Sequence, residues 1–300
     1  MIVVPQVVQN EARALGANDW LESLPDLVKT IESQWSLKVG SPFSGATEAF
    51  VAEATMADGQ QAVLKLVIPR SRPVVRNEVT ALRLADGQAC VALLRSDIGR
   101  GALLLERLGR SMSELGLPLT RRHEILCDLA QRVWCPAIGS GLPTGAEKAE
   151  WLRDIIVDTW EELDRPCSER AVIYAVECAE RRRAAHRDER AVLVHGDVHQ
   201  WNALEAGSRF KLIDPDGLLA EPEYDLGVII REDPVELLQG EPYERAQWLA
   251  QRTGLDEVAI WEWGVVERVA NGLLLLKIDL QPVADQMLRA AEGVAQQYAT

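Results

Sequence analysis

Apolar positions between Glu11 and Trp35 recur at helical spacing (Leu15, Trp20, Leu24, Leu27, Ile31, Trp35), with an interruption expected at Pro25. From Leu37 the texture changes. LKVGSPFSGATEAFVAEATMADGQQAVLKLVI alternates small, β-branched and apolar residues around a turn at Ala57-Asp58-Gly59, which predicts antiparallel strands joined by a hairpin. The run PVVRNEVTALRLADG (73–87) predicts a helix with Pro73 at its first position and a stop at Gly87. ACVALLRSD and GALLLERL then predict a strand pair across Ile98-Gly99-Arg100-Gly101.

Beyond Gly109 the helical period dominates. Thr120 is positioned to cap TRRHEILCDLAQRVW, and Ser168 to cap SERAVIYAVECAERRRAAH. Residues 145–163 and 241–298 also read as mostly helical, and two short strands, AVLVH (191–195) and FKLID (210–214), interrupt the run. No internal repeat is visible. The pattern predicts an α+β protein of two lobes with a cleft between them: a small antiparallel-sheet lobe over 1–108, with a connection at its end, and a larger, mainly helical lobe over 109–300.

Composition narrows the class. Three hundred residues at 47% hydrophobic support a substantial core, and the N-terminus lacks the basic flank of a signal peptide. The most apolar segment, GLLLLKIDL (272–280), carries Lys277 and Asp279 and is too short to span a bilayer. Five cysteines without CxxC pairing fit a reducing cytoplasm better than a disulfide framework. A net charge of −14 argues against a nucleic-acid partner. The acidic excess lies almost wholly beyond residue 108, where 34 Asp+Glu face 21 Lys+Arg, against 12 and 11 before it. That asymmetry suits solubility, and equally suits attraction of a cationic small molecule.

The densest chemistry is VLVHGDVHQWNAL (192–204), with two of the four histidines, an aspartate and an asparagine behind an apolar run. If AVLVH and FKLID pair, Asp197, Asn202 and Asp214 converge. A carboxylate and an amide oxygen are hard ligands of the kind Mg2+ takes while keeping substrate phosphates in its other positions. Asp197 would then be free to accept a proton from an attacking hydroxyl, the division of labour phosphoryl transfer requires. Zinc held by His195 and His199 is the competing reading, and it needs ligands that His123 and His186 are not spaced to supply.

HGDVHQWN followed by IDPDG resembles the HGDxHxxN and IDxxD signatures of the aminoglycoside phosphotransferase family, relatives of the protein kinases, and is most similar to its streptomycin 6-phosphotransferase and hydroxyurea-kinase branch. The resemblance implies ATP and Mg2+ as cofactors, Asp197 as catalytic base, and Asn202 and Asp214 as metal ligands, with His195 and His199 shaping the loop. It further implies a phosphate-gripping lysine on a strand, matched by Lys65 in QAVLKL, and a glutamate holding it, matched by Glu78. GSPFSGATEAFVAEA (40–54) lacks the G-x-G-x-x-G spacing, yet Ser44 and Gly45 are small enough for backbone amides to approach phosphates. LLLERLG (103–109) resembles the inter-lobe hinge, so backbone near Glu106 and Leu108 is expected to meet the adenine edge. Asp225 looks like the family's prop for the catalytic loop.

By the same resemblance the substrate would be a cationic aminoglycoside, streptomycin first, phosphorylated on a hydroxyl and so inactivated, by an enzyme acting as a monomer, with a dimer not excluded. Candidate carboxylate contacts are Glu262 and Glu267. Trp261 and Trp263, on different faces of one helix, leave room for at most one in a cleft. Two alternatives stand beside this: a kinase of a metabolic amino alcohol or a hydroxyurea-like compound, and a non-catalytic nucleotide-binding module. The joint presence of Lys65, Glu78, Asp197, Asn202 and Asp214 disfavours the last.

Overall fold

The computed structural model of the protein describes residues 2–70 and 72–299. Two helices, α1 (Gln6–Ala14) and α2 (Asn18–Trp35), precede the strands β1 (Leu37–Pro42), β2 (Ala49–Met56) and β3 (Gln61–Val67). Helix α3 (Val74–Ala85) follows, then β4 (Leu93–Asp97) and β5 (Ala102–Glu106). The five strands form one antiparallel sheet in the order β1-β2-β3-β5-β4. Period-two alternation decides what each face does. Phe50, Ala52, Ala62, Leu64, Leu66 and Leu104 pack under Trp20, Leu24, Val28 and Ile31 of α2. Lys65, between Leu64 and Leu66, therefore points to the opposite face, where Val67, Leu103 and Leu105 join the larger core with Val79 and Leu82 of α3.

Pro25 does not break α2, which runs through it. The lost backbone hydrogen bond is outweighed by the apolar stripe on either side, all of it buried against the sheet. Helix α3 begins at Val74 with Pro73 just outside, and it ends on Asp86 in the left-handed conformation (φ 48°), one residue before the expected Gly87.

The second lobe contains α4 (Leu119–Val133), α5 (Gly145–Glu162), α6 (Glu169–Ala185) and the short strands β6 (Val192–Val194), β7 (Ala203–Ala206), β8 (Arg209–Leu212) and β9 (Leu218–Ala220). Helices α7 (Glu223–Arg231), α8 (Pro234–Leu237), α9 (Glu244–Thr253), α10 (Glu257–Lys277) and α11 (Val283–Tyr298) complete it. Ser168 caps α6 as its sequence predicts, accepting from Ala171 N–H. Thr120 does not cap α4: Pro118, extended at ψ 148°, holds the cap position and the helix opens at Leu119, two residues earlier than a Thr120 cap would place it. Helix α10 is the axis of the lobe, buried from Ala259 to Ala270, and it crosses α7 at Gly227 and Gly264. A Cβ on Gly227 would lie 2.4 Å from Trp263 Cβ and 2.9 Å from the Gly264 nitrogen, so this approach requires glycine. Among the described residues, no helix is long and apolar enough to cross a membrane.

One expected pairing is overturned. AVLVH and FKLID are not partners: β6 pairs with β9, and β8 pairs with β7. β7 and β8 are separated only by Gly207 (φ 65°) and Ser208, so their hairpin closes at little entropic cost, and β6 is left to the more distant β9. Residues between the lobes are also joined by backbone. Val91 N–H donates to Leu212 O (2.8 Å) and Leu212 N–H to Ala89 O (2.8 Å), while Gly217 packs so closely on α3 that a Cβ there would lie 2.9 Å from Asn77 O.

Candidate active site

The loop after β6 is built around three anchors. The first is Asp225 in α7, fully buried, which accepts from the backbone N–H groups of His195 (3.0 Å) and Gly196 (2.8 Å) and from Trp134 Nε1 (3.0 Å). Burial pushes its carboxyl up to about 6 even against those three donors. The second is His195. Its Nδ1 accepts from Asp197 N–H (3.2 Å) and its Nε2 donates to Ile213 O (3.0 Å), which fixes the neutral Nε2–H tautomer. Burial agrees, pushing the imidazole down to about 4. Through that ring the loop is joined to the residue before Asp214. The third is Gly196, at φ 91°, where a Cβ would lie 2.7 Å from Asp216 Cβ.

The side chains then converge, although by a different pairing from the expected one. Ile213 N–H donates to Asn202 O (2.9 Å), bringing the ends of β7 and β8 together beside the loop. Asn202 Nδ2 donates to Asp197 Oδ2 (3.0 Å) and to Asp197 O (3.1 Å), so its amide oxygen is the free face. Asp197 is gripped at both oxygens. Oδ2 also accepts from His199 Nε2 (2.9 Å), and Oδ1 accepts from Arg231 Nη2 (3.0 Å). Burial alone would raise the Asp197 carboxyl, but His199 and then Arg231 outweigh it and hold the group well below the usual carboxylate range.

From the sheet, Lys65 Nζ donates to Glu78 Oε1 (2.7 Å) and to Asp214 Oδ1 (3.0 Å). Burial alone would lower this ammonium, but Asp214 and Glu78 outweigh it and raise it, which keeps the lysine charged. The residues expected on separate elements thus form two bonded groups, Lys65 on β3 with Glu78 on α3 and Asp214 after β8, and Asp197 with Asn202 in the loop, joined through Ile213 and His195.

The remaining expectations are placed as follows. Ser44 and Gly45 lie in the exposed loop joining β1 to β2, and the space where a Gly45 Cβ would sit is open. Glu106 turns its carboxylate away to Lys211 (2.7 Å to each oxygen) and to Ala92 N–H (3.0 Å). Glu106 and Leu108 line a depression of about 570 Å³ with Gly109, Glu205 and Gly207.

The acidic residues proposed for a cationic substrate are corrected. Glu262 is buried and paired with Arg181 and Arg182 of α6, and Glu267 is buried and paired with Arg231 and the Tyr224 hydroxyl. Neither faces a cleft. The helix that carries them is the core axis, and their charges are neutralised inside the lobe. Trp261 and Trp263 are buried with them, donating to Tyr174 Oη (2.9 Å) and Glu221 Oε1 (2.7 Å).

The donor set suits magnesium better than zinc. His195 and His199 turn to Ile213 O and Asp197, while His123 pairs with Asp233 and His186 with Asp188. Among the described residues, no three His, Cys, Asp or Glu side chains gather as a metal cage. An amide oxygen and a carboxylate are enough for Mg2+, which takes its other ligands from phosphates and water. Sequence reasoning missed Arg231, whose only signal is its place six residues after Asp225 on one helix, and the pair Lys148–Asp216 (3.0 Å) beside the site.

A buried strand lysine paired with a buried glutamate, and a carboxylate-and-amide loop, lie between a small antiparallel sheet and a helical lobe, the architecture of a protein-kinase-like phosphotransferase. Solved structures share this fold. Choline kinase LicA from Streptococcus pneumoniae matches with a TM-score of 0.62 at 14% identity over 92% of this chain and 99% of its own. An aminoglycoside phosphotransferase APH(4)-Ia variant in complex with ADP and hygromycin B matches with a TM-score of 0.61 at 14% identity over 91% and 99%.

The chain belongs to the aminoglycoside/hydroxyurea antibiotic resistance kinase family, which matches residues 34–268. It is 32% identical to a hydroxyurea phosphotransferase of Kitasatospora aureofaciens over 74% of this chain and 65% of that protein, slightly under two thirds of its length. It is 26% identical to a streptomycin 6-kinase of Streptomyces glaucescens over 98% of each.

Proposed function

We propose that the protein transfers the γ-phosphoryl group of ATP, with Mg2+, to a hydroxyl of an aminoglycoside-type antibiotic, streptomycin being the leading acceptor, and thereby inactivates it. The observation that carries this reading is the meeting of Lys65, Glu78, Asp214, Asn202 and Asp197, with Lys65 Nζ 3.0 Å from Asp214 Oδ1. Full-length similarity to streptomycin 6-kinase supports the acceptor.

In this mechanism Lys65, held by Glu78, grips the nucleotide phosphates. Ser44 and Gly45 offer backbone amides to them, and the backbone near Glu106 and Leu108 meets the adenine. Asn202 Oδ1 and Asp214 are the ligands for Mg2+, which when bound neutralises charge on the phosphates. Asp197 accepts the hydrogen bond of the acceptor hydroxyl and orients its oxygen. Because Arg231 and His199 keep Asp197 ionised, it is a weak base and a strong positioner, which suits a loose transition state in which the nucleophile loses its proton late. We assign nucleotide binding to residues 1–108, and catalysis and acceptor binding to 109–300. A cytoplasmic setting is supported by five free cysteines.

A hydroxyurea-like acceptor is the second reading. It is favoured by the internal pairing of Glu262 and Glu267, which removes two anchors for a polycation, and by the 32% identity to a hydroxyurea phosphotransferase. Purified protein incubated with ATP, Mg2+ and streptomycin, other aminoglycosides, hydroxyurea or amino alcohols decides between them through ADP release. Turnover confined to amino alcohols defeats the antibiotic reading. Asp197→Asn is expected to lower transfer by about 10²–10⁴-fold with Mg-ATP binding retained, and near-normal turnover rejects Asp197 as the acceptor-positioning base.

A further inference from the structure

Two lysines, one from each lobe, hold the Asp214-Pro215-Asp216-Gly217 turn. Lys65 takes Asp214. Lys148, one turn into α5, takes Asp216, with Nζ 3.0 Å from Oδ2. The turn needs holding: Asp214 is a non-glycine residue at φ 57°, and Gly217 follows at φ 68°. The Asp216 side chain is half exposed and its backbone carries no strand pairing, its nearest ties besides Lys148 being the packing of Gly196 on its Cβ and the Gly217 N–H donated to His195 O (3.2 Å).

Lys148 is not an ordinary surface lysine. Its side chain is only 11% exposed, and its ammonium lies 4.6 Å from the centre of the Trp151 ring and 5.9 Å from that of Tyr224. Burial alone would lower it, but Asp216 first, then Glu267, outweigh that and keep it charged. The helix it stands on is fixed to the strand leaving the turn. Thr144 and Glu147 form a reciprocal cap at the start of α5, and Leu219 N–H of β9 donates to Pro143 O (2.8 Å). Arg72, from the sheet lobe, lies over the same Trp151 ring at 4.3 Å.

We propose that Lys148 is a positioning residue for the metal-binding turn, acting through Asp216 as the helical-lobe counterpart of Lys65. This deepens the phosphotransferase reading and rests on it. An exposed ion pair at this distance would contribute almost nothing. One whose ammonium is nearly buried, on an aromatic bed and a capped helix, fixes a direction even with a half-exposed carboxylate, as residues behind metal ligands do. Removing its charge also leaves Asp216, Glu267 and Asp197 with one cation fewer among them.

The test compares Lys148→Met, Lys148→Arg and Asp216→Asn with the unaltered protein. In metal-free protein, hydrogen exchange at amides 214 and 216–218 is expected to quicken in Lys148→Met and to return towards normal in Lys148→Arg. In calorimetric titrations with ADP, the Mg2+ concentration giving half-maximal binding is expected to rise about 10–100-fold in Lys148→Met. Turnover should fall with little change in KM for the acceptor. If Lys148→Met melts too low to measure, Asp216→Asn carries the test, because it leaves the lysine packing in place and must quicken the same amides. The double variant should be no worse than the worse single one. Unchanged exchange with an unchanged Mg2+ requirement overturns the role of Lys148. Failure of the unaltered protein to bind Mg-ADP overturns the phosphotransferase reading instead, while the metal-free exchange still reports on Lys148.

Discussion

The segment around Asp197 and Asp214 and the loop carrying Ser44 and Gly45 serve one nucleotide in the proposed reaction, and they are built in opposite ways. In the first, nearly every polar group has a partner inside the protein: Asp197 has three side-chain donors, Asp225 has three donors, and His195 uses both ring nitrogens. In the second, Ser44 and Gly45 are exposed and the space around Gly45 is open. The difference separates two tasks. On the proposed reading, groups that must hold a direction during chemistry are fixed by internal partners, whereas the amides proposed to meet phosphates are left open.

Four substitutions test that contrast. Lys65→Met should be the most damaging, because it leaves Glu78 buried without its partner. A loss of about 3–5 kcal/mol is expected in denaturant unfolding, with phosphoryl transfer abolished. A loss below about 1 kcal/mol would mean that the pair is not a structural element of the resting protein.

His195→Gln comes next and is read through pH. The folded-state pKa of His195 is depressed, from 6.5 to about 4. Its contribution is therefore present above pH 6.5 and is lost as pH falls towards 4, amounting to about 3 kcal/mol at most. Asp225, raised to about 6, works in the other direction, since its contribution is lost as pH rises through about 6. The difference between the unaltered protein and His195→Gln isolates the histidine, and parallel stability curves between pH 4 and 6.5 would remove it as a buried neutral anchor.

Gly227→Ala should cost about 1–3 kcal/mol by forcing α7 from α10, seen as a lower denaturant midpoint at constant slope. Gly45→Ala should be smallest, within about 0.5 kcal/mol of the unaltered stability, with KM for ATP raised and kcat little changed. If Gly45→Ala destabilised the fold as Gly227→Ala does, the openness of the phosphate loop would be wrong.

How much of this was legible in the sequence differs by kind. The lysine on β3 and the glutamate on α3 were readable through the resemblance, which asks for a strand lysine and a glutamate on the following helix. The loop was readable because its residue types occur at fixed spacing. What spacing does not carry is the distant partner. β6 is three residues long and pairs with β9 beyond the whole β7–β8 hairpin, so its local pattern said nothing about that choice. Glu262 and Glu267 read as available carboxylates until Arg181, Arg182 and Arg231 arrive from two other helices to bury them. Arg231 belongs to no motif read in the sequence, and only the packing of α7 beneath the loop brings it to Asp197.

The backbone hydrogen bonds between Leu212 and residues 89–91, together with the contact of Gly217 on α3, have a mechanical consequence. They bolt the glutamate-bearing helix to the hairpin that precedes Asp214, so Glu78 and the Asp214 turn stand on one frame. A displacement of α3 that drew Glu78 away from Lys65 would have to drag that turn along with it.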